Sequence, residues 1–598
     1  MNQRITTSVF LLCLMVGNHA QALSLTDAAA LLSQSVSSAD EVLRRRAGRR
    51  RPGKQPPVAP EEPEIDLARI QPVAAKNIDD YFVPVPDRWR IMESLGQKQR
   101  WFDPYNVNTY KADKPLYDDW FLNILAISDT VIEPRSIPTP VGLQSTTNPG
   151  SIDIFGDNDQ VIFAENLIVG AVYYKGNTVF RPPDYEYRLT LAFQYNRVEV
   201  DERRFLNIDP RFDEGTREDF HVGVQELFVD KHLRNVSTRY DFDSLRLGIQ
   251  PFSTDFRGFL FQDLQFGARL FGNRDNNKTQ YNLAWFRRLE KDTNSGLNDL
   301  GAGFRDDDVF IANVYKQDWP VLGFFSQATV VHNRNREDEF FFDENGFIAR
   351  PSSLGNERPR EYDVTYFGLN GDGHFGRYNL TASAYLAVGD VSPAVFSDQK
   401  VDIESAFVAA EAGADFDWVR LRISALYASG DNDPFDDEAN GFDAIFENPI
   451  FAGADTSYWI RQTVPLVGGG GVILSGRNSV LPSMRSSREL GQSNFENPGM
   501  KLIGIGADFD LTPQTRLSFN VNQMWFDDTS VVEVARNQGP IDSELGLDVS
   551  AALIWRPYFT QNIVVRLSAA GMIPGEGFEQ LFGDEKHYSV LANIILAY

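Results

Sequence analysis

The sequence predicts an all-β fold: a closed transmembrane antiparallel β-barrel of about 18 strands (roughly 16–20) behind an irregular N-terminal extension. Three observations predict it. First, the chain ends in strict alternation. Tyr588, Val590, Ala592, Ile594, Leu596 and Tyr598 are apolar, and Ser589, Leu591, Asn593, Ile595 and Ala597 lie between them. A strand sends successive side chains to opposite faces, so one face is apolar with an aromatic at each end and the other is mixed. Second, the same period recurs from about residue 119 onward. Third, short and long connections alternate between the periodic stretches, as they do in membrane barrels with short turns at one end and long loops at the other.

The N-terminus reads as a secretory signal peptide over residues 1–22. Arg4 supplies the positive region, Val9 to Val16 the short apolar run, and Ala20-Gln21-Ala22 the cleavage site. Cys13 is the one cysteine and lies in that segment, so disulfides, thiolate catalysis and covalent haem are excluded from the expected mature chain. Residues 23–75 are expected to be a disordered periplasmic arm. They carry Arg44, Arg45, Arg46, Arg49, Arg50, Arg51 and Lys54, followed by a proline-rich stretch from Pro56 to Pro63. Residues 76–118 are rich in aromatics, among them Trp89, Trp101, Tyr105, Tyr110 and Tyr117. They are expected to pack at the periplasmic mouth or to plug the lumen.

The barrel is assigned to residues 119–598. In Tyr185 to Asn196, the residues Tyr187, Leu189, Leu191, Phe193 and Tyr195 share a face opposite Arg188, Thr190, Ala192, Gln194 and Asn196. Gln514 to Asn522 and Glu544 to Arg556 repeat the pattern, and Phe121 to Thr130 is the expected first strand. Others centre near Val169, Val224, Leu247, Phe266, Leu283, Ile311, Ala328, Tyr366, Ala382, Val408, Ile423, Ile505 and Val565. Short connections at Gly371–Arg377, Thr512–Thr515 and Pro557–Gln561 alternate with long ones at Val388–Val401, Phe526–Ser543 and Gly571–Lys586. Asp431 to Pro498 is expected to be a long external segment.

Composition agrees with a barrel. Mean hydropathy is −0.31, as expected when only half of each strand meets lipid. Aromatics (9 Trp, 21 Tyr and 44 Phe) are numerous enough to form interfacial girdles. There are 57 basic and 83 acidic residues, a net charge of −26, so nucleic acid is not an expected partner. Arginines recur on the faces away from lipid: Arg188, Arg246, Arg269, Arg420, Arg422, Arg516, Arg556 and Arg566. Acids there are fewer: Asp508, Asp510, Glu544 and Asp548. Rings of arginine favour anions in a pore, and pairing with wall carboxylates is the structural alternative. A register error would place an arginine in lipid at a cost of about 2–4 kcal/mol, which supports the lumen assignment. Asp431, Asp433 and Asp436 are candidate Ca²⁺ ligands in an external loop. No G-x-S-x-G, Walker or H-E-x-x-H motif occurs, and the five later histidines lack metal spacing, so no enzyme is expected.

The final strand, with Tyr588, Val590, Ile594, Leu596 and terminal Tyr598, resembles the C-terminal insertion signal of bacterial outer-membrane proteins. The barrel as a whole, over roughly residues 119–598, resembles bacterial outer-membrane channels of porin type. Leu245-Arg246-Leu247-Gly248-Ile249-Gln250 with Asp255-Phe256-Arg257, and Ala428-Ser429-Gly430-Asp431-Asn432-Asp433-Pro434, are similar to segments of the alginate-export-like barrels. That resemblance implies 18 strands, a lumen role for Arg246 and an electropositive passage. The long basic and proline-rich extension departs from it. The expected function is an outer-membrane channel for small or polymeric anionic solutes, with both termini periplasmic. The alternatives are a sheath around a partner such as a multihaem cytochrome, and a surface adhesion or assembly factor. Expected partners are outer-membrane lipid, lipopolysaccharide, the barrel-assembly machinery and a periplasmic partner for the basic arm.

Overall fold

In the computed structural model the described residues are 108–139, 153–176, 182–352, 354–453, 456–461, 484–558 and 561–598, apart from a few isolated positions, together with Leu95, Gly96 and Asp103. The expected signal peptide, the basic stretch 23–75 and most of residues 76–118 lie outside them.

One sheet of 19 strands closes on itself. A two-residue strand, Glu438–Ala439, pairs parallel with Asp402 and Ile403, and the other eighteen form an antiparallel wall. They are β1 (Trp120–Ser136), β2 (Asp159–Lys175), β3 (Tyr185–Val200), β4 (Thr216–Asn235), β5 (Phe242–Ser253) and β6 (Gln262–Arg274). Next come β7 (Thr279–Leu289), β8 (Phe304–Gln317), β9 (Phe324–Asn335), β10 (Glu361–Phe375), β11 (Tyr378–Ser392) and β12 (Val401–Phe416). The last are β13 (Val419–Ala428), β14 (Met500–Thr512), β15 (Thr515–Trp525), β16 (Glu544–Trp555), β17 (Ile563–Pro574) and β18 (His587–Ala597). Every strand centre read from the sequence falls in one of these. Closure is direct: β18 pairs with β1 from Ile127↔Ala597 to Arg135↔Ser589.

The period-2 pattern fixes which face is outside. Leu247, Leu369, Ile423 and Ile505 point outward and are more than half exposed, while their neighbours Gln250, Asn370, Ser424 and Asn522 are buried inside. A one-residue slip would exchange these sets on every strand, so burial holds the register. Aromatic pairs mark the wall near its turn end: Trp120 and Tyr173 stack at 4.7 Å, and Tyr173 lies 6.4 Å from Tyr187. The connections alternate without exception, from Gly376-Arg377 at one end to residues 429–499 at the other. Those two ends are called the turn end and the loop end below.

Two expectations are corrected. Beyond the exposed stretch Asn432–Glu438, the described residues of 431–498 do not form an external segment. They fold back into the barrel and touch inward side chains on several sides. Tyr458 donates its backbone N–H to Asp548 on β16 and its hydroxyl to the Ser136 carbonyl on β1. The Tyr366 hydroxyl on β10 donates to the Asp443 carbonyl, and Asn522 on β15 donates to the Ala452 carbonyl. The cause is composition: Phe442, Ile445, Phe446, Phe451, Trp459 and Phe495 are all fully buried, and water would not hold so much apolar surface in an exposed loop. Glu544 also changes face. A bulge at Met524/Trp525 pairs it with Trp525 on the outer face, where Gln523 donates to it at 2.9 Å.

Candidate functional site

The lumen has two halves. The loop-end half is filled by the described residues 439–453, 456–459 and 484–497 of the inward segment, by the short inward loop 254–261 and by parts of the β7–β8 and β9–β10 connections. In loop 254–261, Asp255 accepts four backbone N–H bonds, from Arg257, Gly258, Phe259 and Leu260, plus the Tyr385 hydroxyl at 2.9 Å. That turn aims Arg257 across the lumen to Thr381 on β11 at 2.8 Å, the Ile450 carbonyl at 3.1 Å and Glu411 on β12 at 3.4 Å. Phe259, Phe407, Phe442 and Phe451 pack around it, with Phe407 and Phe442 stacked at 5.0 Å.

A buried ionic network joins these loops. Arg305 makes a two-pronged contact with Glu337, both bonds 2.8 Å, and Arg350 pairs with Glu290 and, at 3.3 Å, with Glu337. Arg288 pairs with Asp307 at 2.8 Å, Lys291 with Asp263 at 2.9 Å, and Arg485 with Asp443 at 2.7 Å. Arg305 also donates to the Glu489 and Gly491 carbonyls, tying the wall to the inward segment. Sequence reading missed this network because Glu290, Lys291, Glu337, Arg350, Asp443 and Arg485 lie in connections, where no periodicity shows which way a charge points, and their partners Asp263, Arg288, Arg305 and Asp307 sit at the loop-end tips of the strands. Arginines and aromatics interleaved inside nominal loops were the available signal.

The turn-end half is lined by the predicted arginines, and all eight lie on lumen faces or just beyond them. Five are paired with carboxylates. Arg188 pairs with Glu186 at 2.9 Å and Glu226 at 3.3 Å, and Arg246 with Asp230 at 2.9 Å. Arg420 pairs with Asp415 at 2.5 Å, Arg422 with Asp508 at 3.0 Å, and Arg516 with Asp510 at 2.7 Å. The structural use of arginine is therefore real for these five. Arg269 instead bonds to Asn282 at 2.7 Å and lies over Phe271 at 4.6 Å. Arg556, in the turn after β16, bonds to Gln561 at 3.0 Å.

Arg556 is the informative one. Ile554 pairs with Arg516 on β15 and with Arg566 on β17, so the three arginines gather at one corner of the turn-end mouth. Burial lowers the Arg556 pKa from its ordinary value, and the neighbouring Arg516 and Arg566 lower it further. Asp510, paired with Arg516, offsets part of this repulsion, and an anion bound at the corner would lower the energy further.

Other candidate chemistry does not assemble. Within the described residues, the acidic groups whose oxygens lie within 4.8 Å are Asp153, Asp157 and Glu585, and Asp219, Asp292 and Glu344. Asp431, Asp433 and Asp436 do not form such a group. Asp433 and Asp436 accept backbone N–H bonds from Phe435 and Glu438 at 3.1 and 2.9 Å. His587 meets Ser136 at 3.0 Å, but through Nδ1, and its Nε2 has no hydrogen-bond partner. Both residues are about 99% buried. The pair has neither the third group nor the access of a nucleophilic site.

No described protein family matches the chain, and no curated protein sequence does. Among solved structures it is similar to Pseudomonas aeruginosa OccK9 (OpdG), with 12% identity, TM-score 0.44, and coverage of 81% of this chain and 100% of that one. Acinetobacter baumannii OccAB3 gives 8% identity, TM-score 0.43, and coverage of 80% and 99%. Pseudomonas aeruginosa OccK2 (OpdF) in complex with glucuronate gives 11% identity, TM-score 0.41, and coverage of 80% and 95%. The porin-type barrel itself stands on this chain's own closed strand register.

Proposed function

We propose that the chain is an outer-membrane channel for small anionic solutes, with the turn end facing the periplasm. The observation that carries this reading is the convergence of Arg516, Arg556 and Arg566 at the turn-end mouth. A partly enclosed corner of positive charge raises the local concentration of anions and speeds their entry. The outward apolar faces and closed ladder suit a bilayer, because no strand edge is left to lipid. The filled loop-end half favours small solutes over a threading polymer. The same filling argues against a sheath, since the chain's own residues occupy the space a partner protein would need.

The test is the reversal potential of the full-length protein in a planar bilayer under a KCl gradient. Anion preference is expected, and Arg516→Ala with Arg556→Ala should reduce the permeability ratio by about threefold, since removing two cations from one corner costs on the order of RT of local potential. A cation preference that survives neutralising the acidic loop residues would sink the reading.

A further inference from the structure

Just ahead of the barrel, residues 108–117 turn back against the first strand. Lys111 forms an antiparallel bridge with Asn123. The Ala112 N–H donates to the Leu122 carbonyl at 2.9 Å, and the Ile124 N–H donates to the Tyr110 carbonyl at 2.7 Å. The Lys111 ammonium adds a bond to the Ile124 carbonyl at 2.6 Å. The Leu116 N–H closes the turn on the Trp120 carbonyl at 2.8 Å.

This position is where β18 runs out. The β1–β18 ladder stops at Ile127↔Ala597, with Ala126 and Tyr598 exchanging backbone bonds at 2.8 and 3.2 Å. Beyond it, residues 120–126 of β1 keep β2 on one side along their whole length. On the other side their partner is the 108–117 segment. As its numbers rise its β1 partners fall, which is also the direction of β18. It therefore continues β18 in the same ladder, as though the chain ran on from Tyr598. At the joint, Asn108 donates to the Tyr598 hydroxyl at 2.8 Å, and the Lys111 ammonium lies 4.1 Å from the centre of the Tyr598 ring. Asn108 is fully buried there.

We infer that residues 108–117 are a seam strap: they complete the closing ladder below the end of β18 and clasp the C-terminal tyrosine once that strand has docked. The strap removes an exposed strand edge at the seam, where unpaired backbone groups would be costly or would recruit another chain. It also half-covers the Tyr598 ring at the joint. Neither role depends on what the lumen conducts.

Amide hydrogen exchange on the purified full chain tests this. Asn108→Ala with Lys111→Met should speed exchange at Ile124, Ala126 and Tyr598 about tenfold, as local opening of one element predicts. Strands β7 to β10 should keep their protection. Unchanged exchange at those three amides overturns the strap. A second variant guards against a folding defect. With Cys13 replaced by Ser, Lys111→Cys and Asn123→Cys form a cross-strand pair in the observed register. That disulfide should form in the finished barrel and restore slow exchange when Asn108→Ala is also present. Its failure to form in a folded barrel would equally remove the strap.

Discussion

Single residues decide how firmly the inward segment is held, and they do so with opposite pH signs. Burial pushes the Asp431 carboxyl up to about 7, helped by Glu496 and Asp436, against a bond from the Asn440 N–H. Burial likewise pushes Glu496 up to about 7, against bonds from Val395 and Phe396 N–H and the charge of Arg360. In both cases the folded state holds its proton more tightly than an open chain, so stability falls as pH rises from about 4 to about 7. Glu337 has the other sign. Burial alone would raise its pKa, but Arg305 and Arg350 outweigh burial and hold it well below the usual carboxylate range. Its contribution is present above about pH 4.3 and is lost as pH falls through the folded value. The inward segment should therefore be tightest near pH 5. Limited proteolysis should show it more resistant at pH 5 than at pH 8, and Asp431→Asn with Glu496→Gln should erase that difference. A difference that persists in the double variant would assign it to other groups. Glu337→Ala leaves two buried arginines without their shared partner, and such losses cost about 3–5 kcal/mol. A matching drop in the denaturant midpoint of this region is the expected result. Of these residues, Asp431 was legible as chemically unusual but its partner Glu496 was not, since they meet only through the fold.

At the scale of elements, the wall was readable and the filling was not. Strands announce themselves by period 2, so Tyr185–Val200 and Glu544–Trp555 could be placed within a few residues. Their lumen arginines followed from the same alternation. Glu544 escaped because a bulge inserts one residue and breaks the parity on which the reading depends. The 429–499 connection escaped for a different reason. A connection carries no period, and its acidic start at Asp431–Glu438 suggested water. The buried phenylalanines further along decide its direction, and they act through contacts on separate strands, such as Phe495 with Tyr362, Phe442 with Tyr366 and Phe407, and Phe446 with Arg288. The fold permits a direct test. Ala428 and Met500 are already paired across β13 and β14, so a tight turn replacing residues 430–498 would leave the ladder intact. That deletion should still give a folded barrel, with single-channel conductance several-fold above the full chain. Equal conductance would mean that the segment does not obstruct the path.

For the whole molecule, the proposed anion preference has to be reconciled with a net charge of −26. The answer lies in where the charges sit. Exposed acidic residues crowd the loop end, among them Asp433, Asp436, Asp437, Glu438, Asp338, Glu339 and Glu344, where water and salt screen them. The Arg516, Arg556 and Arg566 corner lies at the opposite, turn-end mouth, where Arg556 is partly desolvated. At physiological ionic strength the screening length is about 8 Å, far less than the length of a strand such as β3, so the two ends act almost independently. On the proposed reading, selectivity is set locally at the mouth, while the loop-end acids alter entry from their own side. The barrel should be electrically asymmetric. In 0.1 M salt, oriented channels should pass more current when anions enter through the turn end than when they enter through the loop end. In 1 M salt, where screening shortens to about 3 Å, rectification and anion preference should both decline. Neutralising Asp436, Asp437 and Glu438 should reduce rectification while leaving the reversal potential nearly unchanged, because those charges gate approach and the arginines select. Loss of selectivity with rectification intact would place the filter at the loop end instead.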